Sequence, residues 1–154
     1  MAISNPSRRT PMVHVTRQFP VDVEQSVAVD YLKDFGNATA WDPGSVSNER
    51  LDEGPIQVGS TWHNTSKLIF ITTELRYELT QLRHDGMVFT GTNSTATSVD
   101  TIDVIAADHG VRITYDSFVT FNGKAKYADP LMHLIFLKLA AETVEGITRE
   151  LSRL

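Results

Sequence analysis

Apolar residues recur with helical spacing at the end of the chain. From Leu137 they fall at Leu137, Ala140, Ala141, Val144, Ile147, Leu151 and Leu154, with Glu142, Glu145, Arg149, Glu150 and Arg153 mostly off that stripe. Asp129 suits an N-cap, and Pro130 suits the first helical position, where its missing N–H costs nothing. No proline follows, so one helix is predicted over 129–154, with its second half lying along a sheet. The first half differs. Leu131, Met132, Leu134, Ile135, Phe136, Leu137 and Leu139 surround the axis, broken only by His133 and Lys138. A half-helix that is apolar all round needs cover on more than one side, or a ligand.

Upstream the period changes. Val13, Val15 and Phe19 share one side of a predicted first strand with Arg17, while His14, Thr16 and Gln18 face the other way, up to Pro20. Asp22 followed by Gln25 resembles a capping box, and Val27, Tyr31 and Leu32 give helical spacing to Lys33, so a short helix should end near Phe35–Gly36. A second turn of helix over Asn37–Ala40 precedes the turn signal Trp41-Asp42-Pro43-Gly44. Strands are then predicted at 46–53, 59–66, 69–83, 86–95, 98–107 and 111–122, broken at Glu53-Gly54-Pro55, Asp85-Gly86 and Asp108-His109-Gly110. Short connections make this an antiparallel meander. The clearest alternation sets Ile71, Thr73, Leu75, Tyr77 and Leu79 against Thr72, Glu74, Arg76, Glu78 and Thr80, one buried face and one wet.

Composition narrows the class. A chain of 154 residues fits one domain, expected over 12–154 behind a flexible, polar tail over 1–11. Hydrophobic content of 41% and charged content of 21% are ordinary for a soluble protein, and no apolar run reaches the roughly 18 residues of a membrane span. A net charge of −5 with scattered basic residues argues against nucleic acid as a partner. Zero cysteines exclude disulfides, thiol catalysis and thiolate metal sites. Arg8 and Arg9 have no hydrophobic segment after them, so no export signal is read and a cytoplasmic location is expected. A homodimer is the protein partnership left open.

One strand, two small helices, six strands and a long terminal helix is the order of the helix-grip fold, an α+β arrangement in which a curved seven-stranded antiparallel sheet wraps a C-terminal helix. The residues carry a family resemblance. Trp41-Asp42-Pro43, Gly54-Pro55, Val58-Gly59-Ser60-Thr61-Trp62 and Glu74-Leu75-Arg76-Tyr77-Glu78-Leu79 resemble the START-like (SRPBCC) superfamily, within it the polyketide cyclase/dehydrase and lipid-transport group. Gly91 to Thr97, Ile113-Thr114-Tyr115, Phe121-Asn122-Gly123 and Asp129-Pro130-Leu131 extend the match, which covers 12–154. These motifs are mostly turns and packing positions, so they imply the fold more than any chemistry. Lys67 to Ile71 depart from the pattern, since relatives often carry a glycine there.

A strongly curved sheet cannot touch a straight helix along its whole length, so sheet and helix can enclose a cavity. The candidate lining comprises Trp62, Leu75, Tyr77 and Phe89, the polar or amphipathic Asn93, Tyr115 and Ser117, and His133, Phe136 and Leu137 from the helix, with Trp41 near the mouth. Each aromatic can equally be ordinary core. His133 shares the stripe of Leu137 and Ala140, where it could meet a ligand carbonyl or hydroxyl, or else serve as a core histidine bonded to a backbone carbonyl.

Other chemistry finds little support. His14, His63, His84, His109 and His133 are dispersed without metal-ligand spacing, and His84 and His109 fall at turns, so no metal and no cofactor is expected. There is no phosphate-cradling glycine loop and no nucleophile elbow. Asp100 and Asp103 stand three apart on a strand, hence on opposite faces, and are read as one solvated residue and one satisfied by a neighbour. The leading reading is a carrier or binding module for a small hydrophobic or amphipathic ligand, such as a lipid, isoprenoid or aromatic polyketide-like compound. The enzymatic alternative is a cofactor-independent cyclase or dehydratase in which Tyr77, Asn93, Tyr115 or His133 moves a proton or polarises a carbonyl. A third is an interaction module with a filled core.

Overall fold

The structure is a computed structural model and describes residues 12–68, 71–122 and 130–154. The tail expected over 1–11 and the N-cap assigned to Asp129 lie outside the described residues. Strand β1 (Met12–Val21) leads to helix α1 (Gln25–Leu32), a 3₁₀ turn at Phe35–Asn37 and helix α2 (Ala38–Trp41). Strands β2 (Ser45–Arg50), β3 (Thr61–Leu68), β4 (Ile71–Arg83), β5 (Gly86–Thr92), β6 (Ala96–Ala106) and β7 (Val111–Phe121) follow, and helix α3 (Pro130–Leu151) comes last.

Each consecutive strand after β2 pairs antiparallel with its predecessor, and β1 closes onto β7, giving the order β1-β7-β6-β5-β4-β3-β2. The sheet is curved, and register shifts between Ser45 and Ser47 and between Leu79 and Gln81 add local twist. α3 packs against β1 and α2. Among the described residues no helix is long and apolar enough to cross a membrane.

The core has two parts. The larger gathers Leu32, Phe35, Trp41, Trp62, Phe89 and Ile147 where α1, α2 and the second half of α3 close on the sheet. The smaller joins Val13, Val15 and Ala140, with Phe121, Phe136 and Leu137 packed against it. Gly146 permits the tightest crossing. A Cβ there would stand 2.2 Å from the Trp41 carbonyl oxygen, so only glycine lets α3 lie directly on α2. Arg149 secures the same contact by donating from Nη2 to the Ala40 carbonyl at 2.8 Å.

Several local expectations change. No capping box forms at Asp22: Glu24 is the N-cap of α1 without a side-chain bond, and Gln25 donates instead to the Val104 carbonyl at 2.8 Å. Tertiary pairing to β6 outcompetes the local cap. Ala141 and Leu154 were expected on the buried stripe of α3 but are exposed, whereas Thr143 is buried with its hydroxyl bonded to the Leu139 carbonyl at 2.8 Å. The first half of α3 is not covered all round, since Leu131 and Leu134 are 66% and 61% exposed.

Candidate functional site

Strand register decides what faces α3. Tyr77 on β4 lies opposite Gly91 on β5, Gly91 opposite Ser98 on β6, and Ser98 opposite Val119 on β7. One rung along, Phe89 pairs with Asp100, Asp100 with Ser117, and Ser117 with Val15 on β1. Because side chains alternate, Ser98 and Asp100 point to the same face as the buried Ile102 and Val104. Tyr115 and Ser117 do the same from β7. The ring of Tyr77 lies across Gly91, where a Cβ would come within 2.6 Å of it, so this glycine makes room for the phenol.

Between this face and α3 lies a partly open cavity of about 170 Å³. Its walls are largely apolar, with Leu75, Val119 and Phe121 from the sheet and Met132, Phe136 and Leu139 from α3. One end is polar. Tyr77, Ser98, Asp100, Tyr115 and Ser117 meet there, joined by Asp42 from the turn after α2.

Six of the eleven candidate lining residues border this cavity: Leu75, Tyr77, Asn93, Tyr115, Ser117 and Phe136. Trp41, Trp62 and Phe89 do not, being 3%, 0% and 0% exposed in the core behind it. They form a supporting layer. Trp41 meets Tyr115 edge-on at 6.3 Å between ring centroids, Phe35 stacks on Tyr77 at 4.3 Å, and Trp62 and Phe89 pack around Phe35. His133 is exposed and borders no part of the cavity, because in the first turns of α3 it is Met132 and Phe136, not His133, that line it. Leu137 packs into the smaller core cluster instead. Asn93 borders the cavity but spends its polar atoms on a turn. Its Oδ1 accepts from the Thr95 and Ala96 N–H groups at 2.8 and 2.7 Å, and its Nδ2 donates to the Glu74 carbonyl at 3.0 Å.

Asp100 is the residue that sequence reasoning missed. Spacing puts Asp100 and Asp103 on opposite faces; Asp103 is held by Arg83 at 2.6 Å on the outer face, whereas Asp100, neither solvated nor satisfied by a neighbour, is 7% exposed and faces the cavity. Its Oδ1 has no hydrogen-bond partner, and the Ser98 hydroxyl reaches Oδ2 only at 3.5 Å. The signal was present in β6, where Ser98, Asp100, Ile102 and Val104 keep one alternating phase.

Burial pushes the Asp100 carboxyl up to about 7; the Ser117, Tyr77 and Ser98 hydroxyls beside it oppose that rise, and the charge of Asp42 reinforces it. Burial also raises Asp42, against the Gly44 N–H bond at 2.9 Å and the Ser45 hydroxyl bond at 3.0 Å that favour its charged form. Asp42 is half-buried as a residue, with its carboxyl enclosed. Tyr77 and Tyr115 are held well above the usual phenol range, first by burial and then by the charge of Asp100, so both remain O–H donors at physiological pH. The polar end therefore holds a carboxyl that titrates near neutrality between two permanent phenols.

Residues 12–154 match the model of the polyketide cyclase / dehydrase and lipid transport family. The chain belongs to that family. No curated protein is similar enough in sequence to count as a relative. Among solved structures, the family fold is shared with the Zhui aromatase/cyclase from Streptomyces sp. R1128, at 12% identity and a TM-score of 0.74 over 92% of this chain and 94% of that one. A START superfamily protein from Mycobacterium smegmatis matches at 6% identity and 0.71, covering 91% and 97%. The di-domain ARO/CYC BexL from the BE-7585A biosynthetic pathway matches at 11% identity and 0.68 over 92% of this chain, which spans only 50% of BexL. At these identities the likeness establishes the helix-grip fold alone.

Proposed function

We propose that this family member binds a small, mostly apolar ligand carrying at least one polar group, seated between the sheet and α3. One observation carries the reading: a cavity of about 170 Å³ between sheet and α3 whose lining is mostly apolar and includes a cluster of hydroxyls and carboxyls around Asp100. An engineered apolar cavity of about 150 Å³ takes up benzene, so the enclosed part suits one ring or a short chain. Apolar walls supply affinity and convergent polar groups supply orientation. A pure interaction module with a filled core fits this chain less well, because the described residues leave a cavity between sheet and helix. Native mass spectrometry and organic extraction of the purified protein test the reading, with thermal shifts against lipids, isoprenoids and aromatic compounds. A co-purifying compound, or a shift abolished by Leu75→Trp, supports it. No bound compound and no shift across such a library would refute it.

A cofactor-independent cyclase or dehydratase is the second reading, and Asp100 favours it. A carboxyl titrating near 7 beside Tyr77 and Tyr115 can hold or release a proton next to a ligand carbonyl. The family's description, polyketide cyclase / dehydrase, gives this reading its substrate class, a polyketide chain. Incubation with a short poly-β-ketone thioester would yield a dehydrated ring with wild type and not with Asp100→Asn. Equal rates in the two proteins would remove Asp100 from any such chemistry.

A further inference from the structure

The polar end of the cavity is one-sided in charge. Among the described residues its lining contains two carboxyls, Asp42 and Asp100, and no lysine, arginine or histidine. The two acids are not equivalent. Asp42 already accepts from the Gly44 N–H and the Ser45 hydroxyl, so it acts mainly through its field. Asp100 is 7% exposed, its Oδ1 makes no well-formed hydrogen bond and Oδ2 is reached only by a long Ser98 contact; the Ser117 and Tyr77 hydroxyls stand beside it, yet acceptor capacity is left over. Around it the oxygens of Tyr77, Tyr115 and Ser117 offer further lone pairs.

We infer that this end is a recognition site for a cationic group, an ammonium on an otherwise apolar ligand, and that it rejects carboxylates. The inference rests on the proposed ligand-binding role of the cavity and names the class of ligand. An ammonium carries three donors and no acceptor, which complements a carboxylate flanked by hydroxyl oxygens. Its charge would also relieve the mutual repulsion of Asp42 and Asp100, whereas a ligand carboxylate would add a third negative charge in a water-poor space. The titratable groups facing Asp100 are Asp42 before β2, Tyr77 on β4 and Tyr115 on β7; α3 contributes Thr143 and apolar residues but no ionisable side chain to the lining.

Calorimetry with phenylbutylamine, phenylbutanol, phenylbutanoate and butylbenzene tests this, using one apolar body with four different ends. At about pH 8 the amine should bind at least roughly tenfold more tightly than the alcohol, and the acid more weakly than either. In Asp100→Asn the amine should lose that advantage while alcohol and butylbenzene binding persists; Asp42→Asn should show a smaller loss in the same direction. A wild-type readout needs no variant. At about pH 6, where Asp100 is mostly protonated, amine binding should release a proton, seen as a dependence of the heat on the buffer's ionisation enthalpy, and alcohol binding should not. An amine that binds no better than the alcohol, or keeps its advantage in Asp100→Asn, overturns the cation site and leaves the cavity reading standing. Failure of all four probes to bind overturns both.

Discussion

Replacing Asp100 by asparagine tests the electrostatics of the cavity through stability alone. Burial holds this carboxyl at about 7 in the fold, against 3.8 for the free group. The unfolded chain therefore releases the proton near the lower value while the folded chain keeps it. Between the two the folded state binds the extra proton, so stability falls as pH rises, by about 1.4 kcal/mol per pH unit. Over the interval from 3.8 to about 7 the loss comes to about 4 kcal/mol, absent below the interval and complete above it. Asparagine keeps the shape and has no proton to lose. Asp42 remains in both proteins, so its own titration cancels in the difference apart from its repulsion of Asp100. Urea melts of wild type and Asp100→Asn, stepped from about pH 4 to about pH 9, give the difference curve. The variant should gain steadily on wild type and level off above about pH 7, by about 4 kcal/mol in all. New contacts of the amide would offset the whole curve without changing its shape. Two parallel stability curves would refute the account, since a carboxyl that titrates alike in both states cannot be held protonated by the fold.

Other perturbations probe the frame of the site. Gly146→Ala would gain about 1 kcal/mol by helix propensity alone, yet its Cβ would lie 2.2 Å from the Trp41 carbonyl oxygen, so denaturant melts should show a net loss of about 1–3 kcal/mol. Ile147→Asp places an unpaired charge at a fully buried position and should unfold the domain; wild-type melting behaviour would mean that the phase of α3 is wrong. Phe136→Ala removes a half-buried ring that borders an existing space, so its stability loss should stay below the roughly 3–5 kcal/mol of a packed core phenylalanine, while ligand affinity falls. A full core-sized loss with unchanged affinity would make Phe136 ordinary packing.

Much of the fold was legible because its signals are local. The alternation of β4 and β7, the glycine-marked turns and the proline-started helix α3 are each set by neighbouring residues, and the observed strands lie within a few residues of those predicted. The capping box at Asp22 failed for the opposite reason, since Gln25 found a stronger partner on β6, far away in sequence. The cavity was half legible. Leu75, Tyr77, Tyr115, Ser117 and Phe136 sit where strand alternation and helix phase put them, whereas Trp41, Trp62 and Phe89 have the right character but lie one layer too deep. Nothing in a hydrophobic pattern separates a wall from the layer behind it, because both are apolar and inward-facing.

The sequence by itself determined the element order, the antiparallel meander and the polarity of each strand face, since periods of two and 3.6 residues are properties of the local backbone. Tertiary structure alone decided which inward-facing residues meet. Register sets Asp100 between Phe89 and Ser117, and the absence of a side chain at Gly91 opens the space that Tyr77 occupies. Curvature keeps α3 off the sheet at this point, so a carboxyl in phase with Ile102 and Val104 faces a cavity instead of packed side chains. The water-poor surroundings that raise its pKa come from strands and a helix distant in sequence, and no stretch of β6 read alone could have disclosed them.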